Sequence, residues 1–157
     1  MKPHVTIFCD GACSPNPGMG GWGTVLISEQ HQARKEISGA EPSTTNNRME
    51  LTAAIKGLES LKQPCAVDVF TDSQYVRNAF AEGWLAKWQR NGWKSAGRKA
   101  VLNEDLWRRL IALSEVHDIK WHWVRGHADN EGNNRADQLA VAAREELARQ
   151  ADAHRRK

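Results

Sequence analysis

Four acidic residues stand out for the chemistry they could do: Asp10, Glu50, Asp72 and Asp137. Asp10 and Asp72 each follow a short apolar run, residues 5–9 and 67–71, of the kind that forms a strand buried on both faces. Glu50 falls, at about 100° per residue, on one helical stripe with Asn47, Ala54, Gly57, Leu58 and Leu61. A carboxylate on that core-facing stripe is costly unless its charge is compensated. Asp137 borders a second stripe, made by Ala136, Ala140, Ala143 and Leu147. Taken singly, each has an ordinary reading: a strand-end Asp forms turns, and an Asp near a helix amino end complements its dipole. Four acids at the rim of one sheet would repel strongly unless cations neutralised them. Oxygen-only ligands suit Mg²⁺ or Mn²⁺ rather than zinc, and a pair of such ions serves in-line displacement at a phosphodiester. Spacing along the chain leaves open whether the four converge.

The elements that must carry these acids can be read from period and punctuation. The runs 5–9, 22–28 and about 35–39 read as three strands, with turn chemistry between residues 11 and 21. Residues 43–47 offer several N-caps for a helix to about Lys62, and 67–71 reads as a buried strand. Ser73 can cap a helix to about Glu82, and a Trp- and Lys-rich helical stretch follows to Asn91. Asn103 stands as N-cap of a helix whose first turn holds Glu104 and Asp105. Residues 119–124 read as a last strand, and a helix starts near Asn133. Three strands followed by alternating helices and strands predict an α/β fold, a mixed sheet with helices packed on it. Chemistry in such sheets sits beyond the strand carboxyl ends, where Asp10 and Asp72 lie.

The 157 residues predict one domain, at 1–146, with a frayed basic tail at 147–157. No apolar run approaches a membrane span and the amino terminus lacks a secretory core, so the expected location is cytoplasmic. Cys9, Cys13 and Cys65 show neither disulfide nor metal spacing and read as reduced thiols. Net charge is only +3, but residues 83–103 hold five cations (Lys87, Arg90, Lys94, Arg98, Lys99) and no acid. Without that stretch the chain would be net negative, so the stripe points to a polyanionic partner.

Several blocks of the chain are similar to the ribonuclease H family, in its bacterial type-one form. They are Asp10-Gly11-Ala12-Cys13 with Asn16-Pro17-Gly18, residues 44–51 (Thr-Thr-Asn-Asn-Arg-Met-Glu-Leu), and residues 71–76 (Thr-Asp-Ser-Gln-Tyr-Val). Gly126-His127-Ala128 and the stretch from Asn133 to Ala140 complete the set, in the family's order. The resemblance implies a five-stranded mixed sheet flanked by helices, with Asp10, Glu50, Asp72 and Asp137 holding two Mg²⁺ ions, Mn²⁺ being a possible substitute. It implies hydrolysis of the RNA strand of an RNA–DNA hybrid, leaving 5′-phosphate and 3′-hydroxyl ends, by a monomer that needs no membrane. His127 matches a family histidine that moves protons or helps product leave. Gly11, Cys13, Asn16, Asn46, Asn47 and Gln74 match minor-groove positions, where the 2′-hydroxyl distinguishes RNA. Thr45 and Asn16 match positions that hold a phosphate of the DNA strand. Asn133 belongs to the same implied substrate set, and Ser73 reads both as helix cap and as substrate contact.

Trp84 through Lys94 resembles the family's basic handle, with Lys87, Arg90 and Lys94 toward nucleic acid and Trp84 in the DNA channel; Trp88 and Trp93 read as packing. The handle departs from the pattern at Gly97, Ala100 and Leu102, which dilute its charge, and residues 129–132 form a more acidic loop. Gly18-Met19-Gly20-Gly21-Trp22-Gly23 satisfies the dinucleotide-binding spacing, but a strand-like run follows it instead of a helix. Those glycines read as a hairpin turn with close backbone approach. His117, His122 and His127 lack zinc spacing. A different nuclease on the same fold, or a hybrid-binding module without catalysis, are the competing readings. The first lacks the 44–50 block, and the second has no use for acids facing phosphates.

Overall fold

The computed structural model describes residues 2–94, 101–124 and 130–155. Five strands form one sheet in the order β3-β2-β1-β4-β5. β1 (His4–Cys13), β2 (Gly18–Ser28) and β3 (Ala33–Thr44) are an antiparallel meander; β4 (Ala66–Thr71) and β5 (Asp118–Trp123) add in parallel on the other side of β1. The helices are α1 (Asn46–Glu59), α2 (Gln74–Ala81), α3 (Trp84–Asn91), α4 (Glu104–Val116) and α5 (Glu131–Arg155). This is the five-stranded mixed sheet with flanking helices that the sequence predicts.

Alternation along β1 sorts the two faces. Val5, Ile7 and Cys9 are buried, and Ile7 lies against Gly57 of α1. Phe8 points the other way and packs on Gly132 of α5. Trp107 and Leu110 of α4 complete the α1 side of the core. On the opposite face α5 packs on β1, β2 and β3. There Gly21 and Gly23 meet α5 directly: a Cβ at either would come within 2.1 Å and 2.4 Å of the carbonyl oxygens of Ala140 and Ala136.

Three sequence readings are corrected by this architecture. The glycines from 18 to 23 belong to β2, and the turn is confined to residues 14–17. The service of Gly21 and Gly23 is the close approach of a helix to the sheet, which any side chain would block. The segment expected to fray after residue 146 continues as α5 to Arg155. It is rich in Ala, Glu, Arg and Gln, has no Gly or Pro after Gly132, and is supported by Arg149 and Gln150 donating to Glu146. Asn103 precedes α4 with a left-handed backbone, φ 61°, and makes no side-chain cap bond because its amide is engaged elsewhere. Cys9, Cys13 and Cys65 are free thiols. Among the described residues no helix is long and apolar enough to cross a membrane.

Candidate active site

The cleft opens where two strands part. The parallel ladder between β1 and β4 ends at Phe8 and Phe70, two residues short of Asp10 and Asp72. Beyond that rung each strand delivers one carboxylate. Glu50 arrives from α1, whose first turn is fixed by Thr45: its hydroxyl accepts from the Arg48 N–H at 3.2 Å. Gly11 lets α1 come this close, since a Cβ there would lie 2.6 Å from the Glu50 nitrogen. Carboxylate oxygens of Asp10, Glu50 and Asp72 then lie within 4.8 Å of one another. Asp137, on α5, has its carboxyl close enough to Asp10 to raise that group's proton affinity.

The electrostatics are those of a site built for cations. Asp10 is 3% and Glu50 6% exposed. Burial, then the Asp72 charge, then the neighbouring Asp137 carboxyl push the Asp10 carboxyl up to about 8, against the Gly11 N–H, which donates to it at 2.9 Å. Burial and the charges of Asp10 and Asp72 hold Glu50 well above the usual carboxyl range. Glu50 Oε2 is buried and accepts no hydrogen bond among the described residues. An orphaned carboxylate oxygen facing two further carboxylates fits a hard divalent cation such as Mg²⁺ or Mn²⁺.

The other predicted site residues fall into distinct groups. Asn16, Asn47 and Gln74 are exposed, and Asn16 Oδ1 accepts from the Asn46 N–H at 3.0 Å, so that the loop closes over the start of α1. The Cys13 thiol is turned into its own loop, donating towards Pro15, Gly18 and Thr44 carbonyls. Ser73 is 7% exposed and caps α2 through the Val76 N–H, which fits its capping role. Asn133 is 0% exposed. Its side-chain Nδ2 donates to the Phe70 carbonyl at the end of β4, at 3.3 Å. Lys87, Arg90 and Lys94 are exposed on and just after α3. Trp84 is half-buried, packed between Tyr75 and Trp88, with its indole N–H donating to Glu82 at 2.8 Å. Trp93 is buried beneath Arg108, whose guanidinium lies 4.6 Å from the ring centroid. His127 lies outside the described residues.

The structure adds a polar network that sequence reasoning missed. Arg48 donates to Asn103 Oδ1 at 3.2 Å and grips Asp105 with two bonds of 2.9 and 2.7 Å. Asn103 Nδ2 and Trp107 Nε1 both donate to the Tyr75 hydroxyl, at 3.1 and 3.0 Å. One network thus joins α1, α2 and α4 beside Thr45. Its signal in the sequence was Arg48, a cation inside the 44–51 block, which the helical stripe of Glu50 does not include.

Comparison with known proteins agrees with this geometry. A family model described as RNase H matches residues 2–145. The ribonuclease H of Moorella thermoacetica is 57% identical over 147 residues, covering 94% of this chain and 95% of its own length. That of Ralstonia nicotianae is 56% identical over 148 residues, with 94% and 95% covered. Among solved structures, LC9-RNase H1, a type 1 RNase H with the type 2 active-site motif, superposes with a TM-score of 0.81 at 29% identity, over 92% of this chain and 73% of that one. By sequence over nearly its whole length, and by a sheet that gathers three carboxylates past its diverging strands, the chain belongs to the ribonuclease H family.

Proposed function

We propose that the protein is an endoribonuclease that hydrolyses the RNA strand of RNA–DNA hybrids with two Mg²⁺ ions, leaving 5′-phosphate and 3′-hydroxyl ends. The observation that carries this reading is the convergence of Asp10, Glu50 and Asp72 in a chain of this family. Asp10, Glu50 and Asp72 would hold the ions, with Asp137 acting beside Asp10. Mn²⁺ satisfies the same oxygen donors. When bound, such ions supply Lewis-acid stabilisation of the phosphorane-like transition state and a water of lowered pKa.

The chain's own residues do the rest. The shared, raised proton affinity of Asp10 and Glu50 is released when cations enter, so loading the site frees protons. Exposed Asn16, Asn47 and Gln74 flank the cleft with amide groups able to read a 2′-hydroxyl, which is how the RNA strand is told from DNA. The backbone of Gly11 and Cys13 and the amide of Asn46 extend that floor. Thr45 and Asn16, brought to the start of α1 by the cap on Arg48 and the bond from the Asn46 N–H, would hold a phosphate of the DNA strand. The cations of α3 track the backbone further out. His127 is assigned proton movement or product release. The enzyme works as a cytoplasmic monomer.

The test is cleavage of one labelled strand presented in four contexts: single, RNA–RNA, RNA–DNA and DNA–DNA, each with and without Mg²⁺. The expected result is cutting of RNA in the hybrid alone and only with the ion. Comparable cleavage of duplex DNA would overturn the reading.

A further inference from the structure

Asn133 has no exposed surface, yet it carries a primary amide. Its backbone N–H is held by Asn130 Oδ1 at 2.9 Å, and its side-chain Nδ2 donates to the Phe70 carbonyl at 3.3 Å. Its own Oδ1 is buried and accepts nothing among the described residues. A buried unsatisfied acceptor destabilises a fold relative to an apolar side chain of the same shape, so packing does not account for an amide here.

Its position does. Phe70 is the last rung of the β1–β4 ladder, and its carbonyl also takes the Cys9 thiol at 3.7 Å. Two residues on is Asp72. On the helix, Asn133 precedes Asp137 by four residues, about one turn, and shares its face. Helix α5 otherwise packs on β1, β2 and β3, on the far side of the cleft from β4. The Asn133 amide therefore ties the strand ending in Asp72 to the helix that bears Asp137.

We infer that Asn133 is a positioning residue: its side-chain amide fixes the separation between the Asp72 end of β4 and the Asp137 turn of α5, and so sets the cation affinity of the site. The inference rests on the divalent-ion reading above. It replaces the expectation that Asn133 touches substrate.

Asn133→Leu keeps the branched outline at a somewhat larger volume and removes the amide; Asn133→Ser keeps a small polar group that cannot reach as far. Both are compared with the wild type by thermal melting in EDTA and across a Mg²⁺ titration, and by hybrid cleavage below their melting points. Groups that orient metal ligands typically change affinity or activity by about 10–100-fold, so kcat should fall by at least about tenfold with KM nearly constant. The Mg²⁺ concentration for half-maximal rate should rise, and the Mg²⁺-induced gain in Tm should shrink. A folded variant with wild-type kcat and Mg²⁺ titration overturns the inference, and so does a loss confined to KM, which would mark a substrate contact. A wild type whose Tm ignores Mg²⁺ overturns the underlying reading instead. Should neither variant fold, the Asn133 side-chain amide resonances of the wild type decide. They should be protected from exchange and shift on Mg²⁺ addition, and unmoved, unprotected signals overturn the inference.

Discussion

Glu36 and Asp10 face the same helix from different strands, and their surroundings are opposite. Glu36, on the edge strand, accepts from Arg135 at 2.9 and 3.0 Å and from Arg34 at 3.2 Å, which draws its carboxyl down to about 2. Asp10, at the cleft, is itself buried, has the carboxyls of Asp72 and Asp137 as neighbours, and is pushed up to about 8. Elsewhere too the chain pairs surface acids with arginine: Asp105 with Arg48, and Glu59 with Arg109. Exposed pairs of this kind contribute little to stability. The pairing is thus applied where it matters least, while the cleft, where like charges are most costly, is filled with acids. Such a reversal of local preference marks a place selected for something other than stability.

That comparison breaks most visibly at Asp10. Asp10→Asn preserves shape and removes one charge, so it should abolish Mg²⁺-dependent cleavage. Relief of repulsion of about 1 kcal/mol would at the same time raise Tm in EDTA by roughly 2–4 °C for a chain of this size. Added Mg²⁺ should stabilise the wild type more than the variant. A variant that melts lower in EDTA, or cleaves at the wild-type rate, would make Asp10 an ordinary turn residue.

A smaller effect is expected on the cationic side. Replacing Lys87, Arg90 and Lys94 together with Ala should raise KM and flatten its salt dependence, each lost phosphate contact removing up to ~0.9 from the log–log slope of duplex binding. Because these side chains stand on and after α3, away from the carboxylates, kcat should hold. A fall in kcat at unchanged KM would place them in the active site.

The pH dependence sharpens the contrast further, because the two regions predict opposite slopes. Asp10 and Glu50 bind protons more tightly folded than unfolded. Metal-free stability should therefore fall as pH rises from the ordinary carboxyl range towards about 8, and Asp10→Asn should flatten that decline. Glu36 has a depressed value, so its contribution is present above its unfolded range and is lost as pH falls towards about 2. Melting curves in EDTA across both windows separate the two; a wild-type Tm that climbs between pH 5 and 8 relative to Asp10→Asn contradicts the first. The smallest effect is Glu36→Gln, for which a Tm change under about 2 °C and unaltered kcat are expected from an exposed pair. A large loss of activity would show that this pair, too, governs the cleft.

The strands and helices were legible because burial imposes period: β4 and α1 read directly as an apolar run and a stripe. Element ends were less so. The sequence suggests turns at Gly18–Gly23 and at Gly11, but these glycines lie in strands, and Gly11, Gly21 and Gly23 are there because a helix presses on them, a tertiary demand invisible locally. At the site, Glu50 betrayed itself as an acid on a core stripe, and Asp10 and Asp72 as acids ending buried strands. Their convergence depends on where the β1–β4 ladder stops, which spacing does not encode. Asn133 and Asn103 were the hardest. The first resembles a substrate contact and the second a helix cap, and only the bonds to Phe70, Tyr75 and Arg48 show their work.

The meeting of Gly21 and Gly23 with the backbone of α5 has a consequence for how this chain tolerates change. Contact of peptide with peptide leaves no side chain to repack, so the height of the helix above the sheet is set like a shim of fixed thickness. The helix takes its place from this contact together with its packing on β1 and β3, and it carries Asp137 at a set distance from Asp10. A single methyl group at Gly21, some way from the cleft along β2, should shift it.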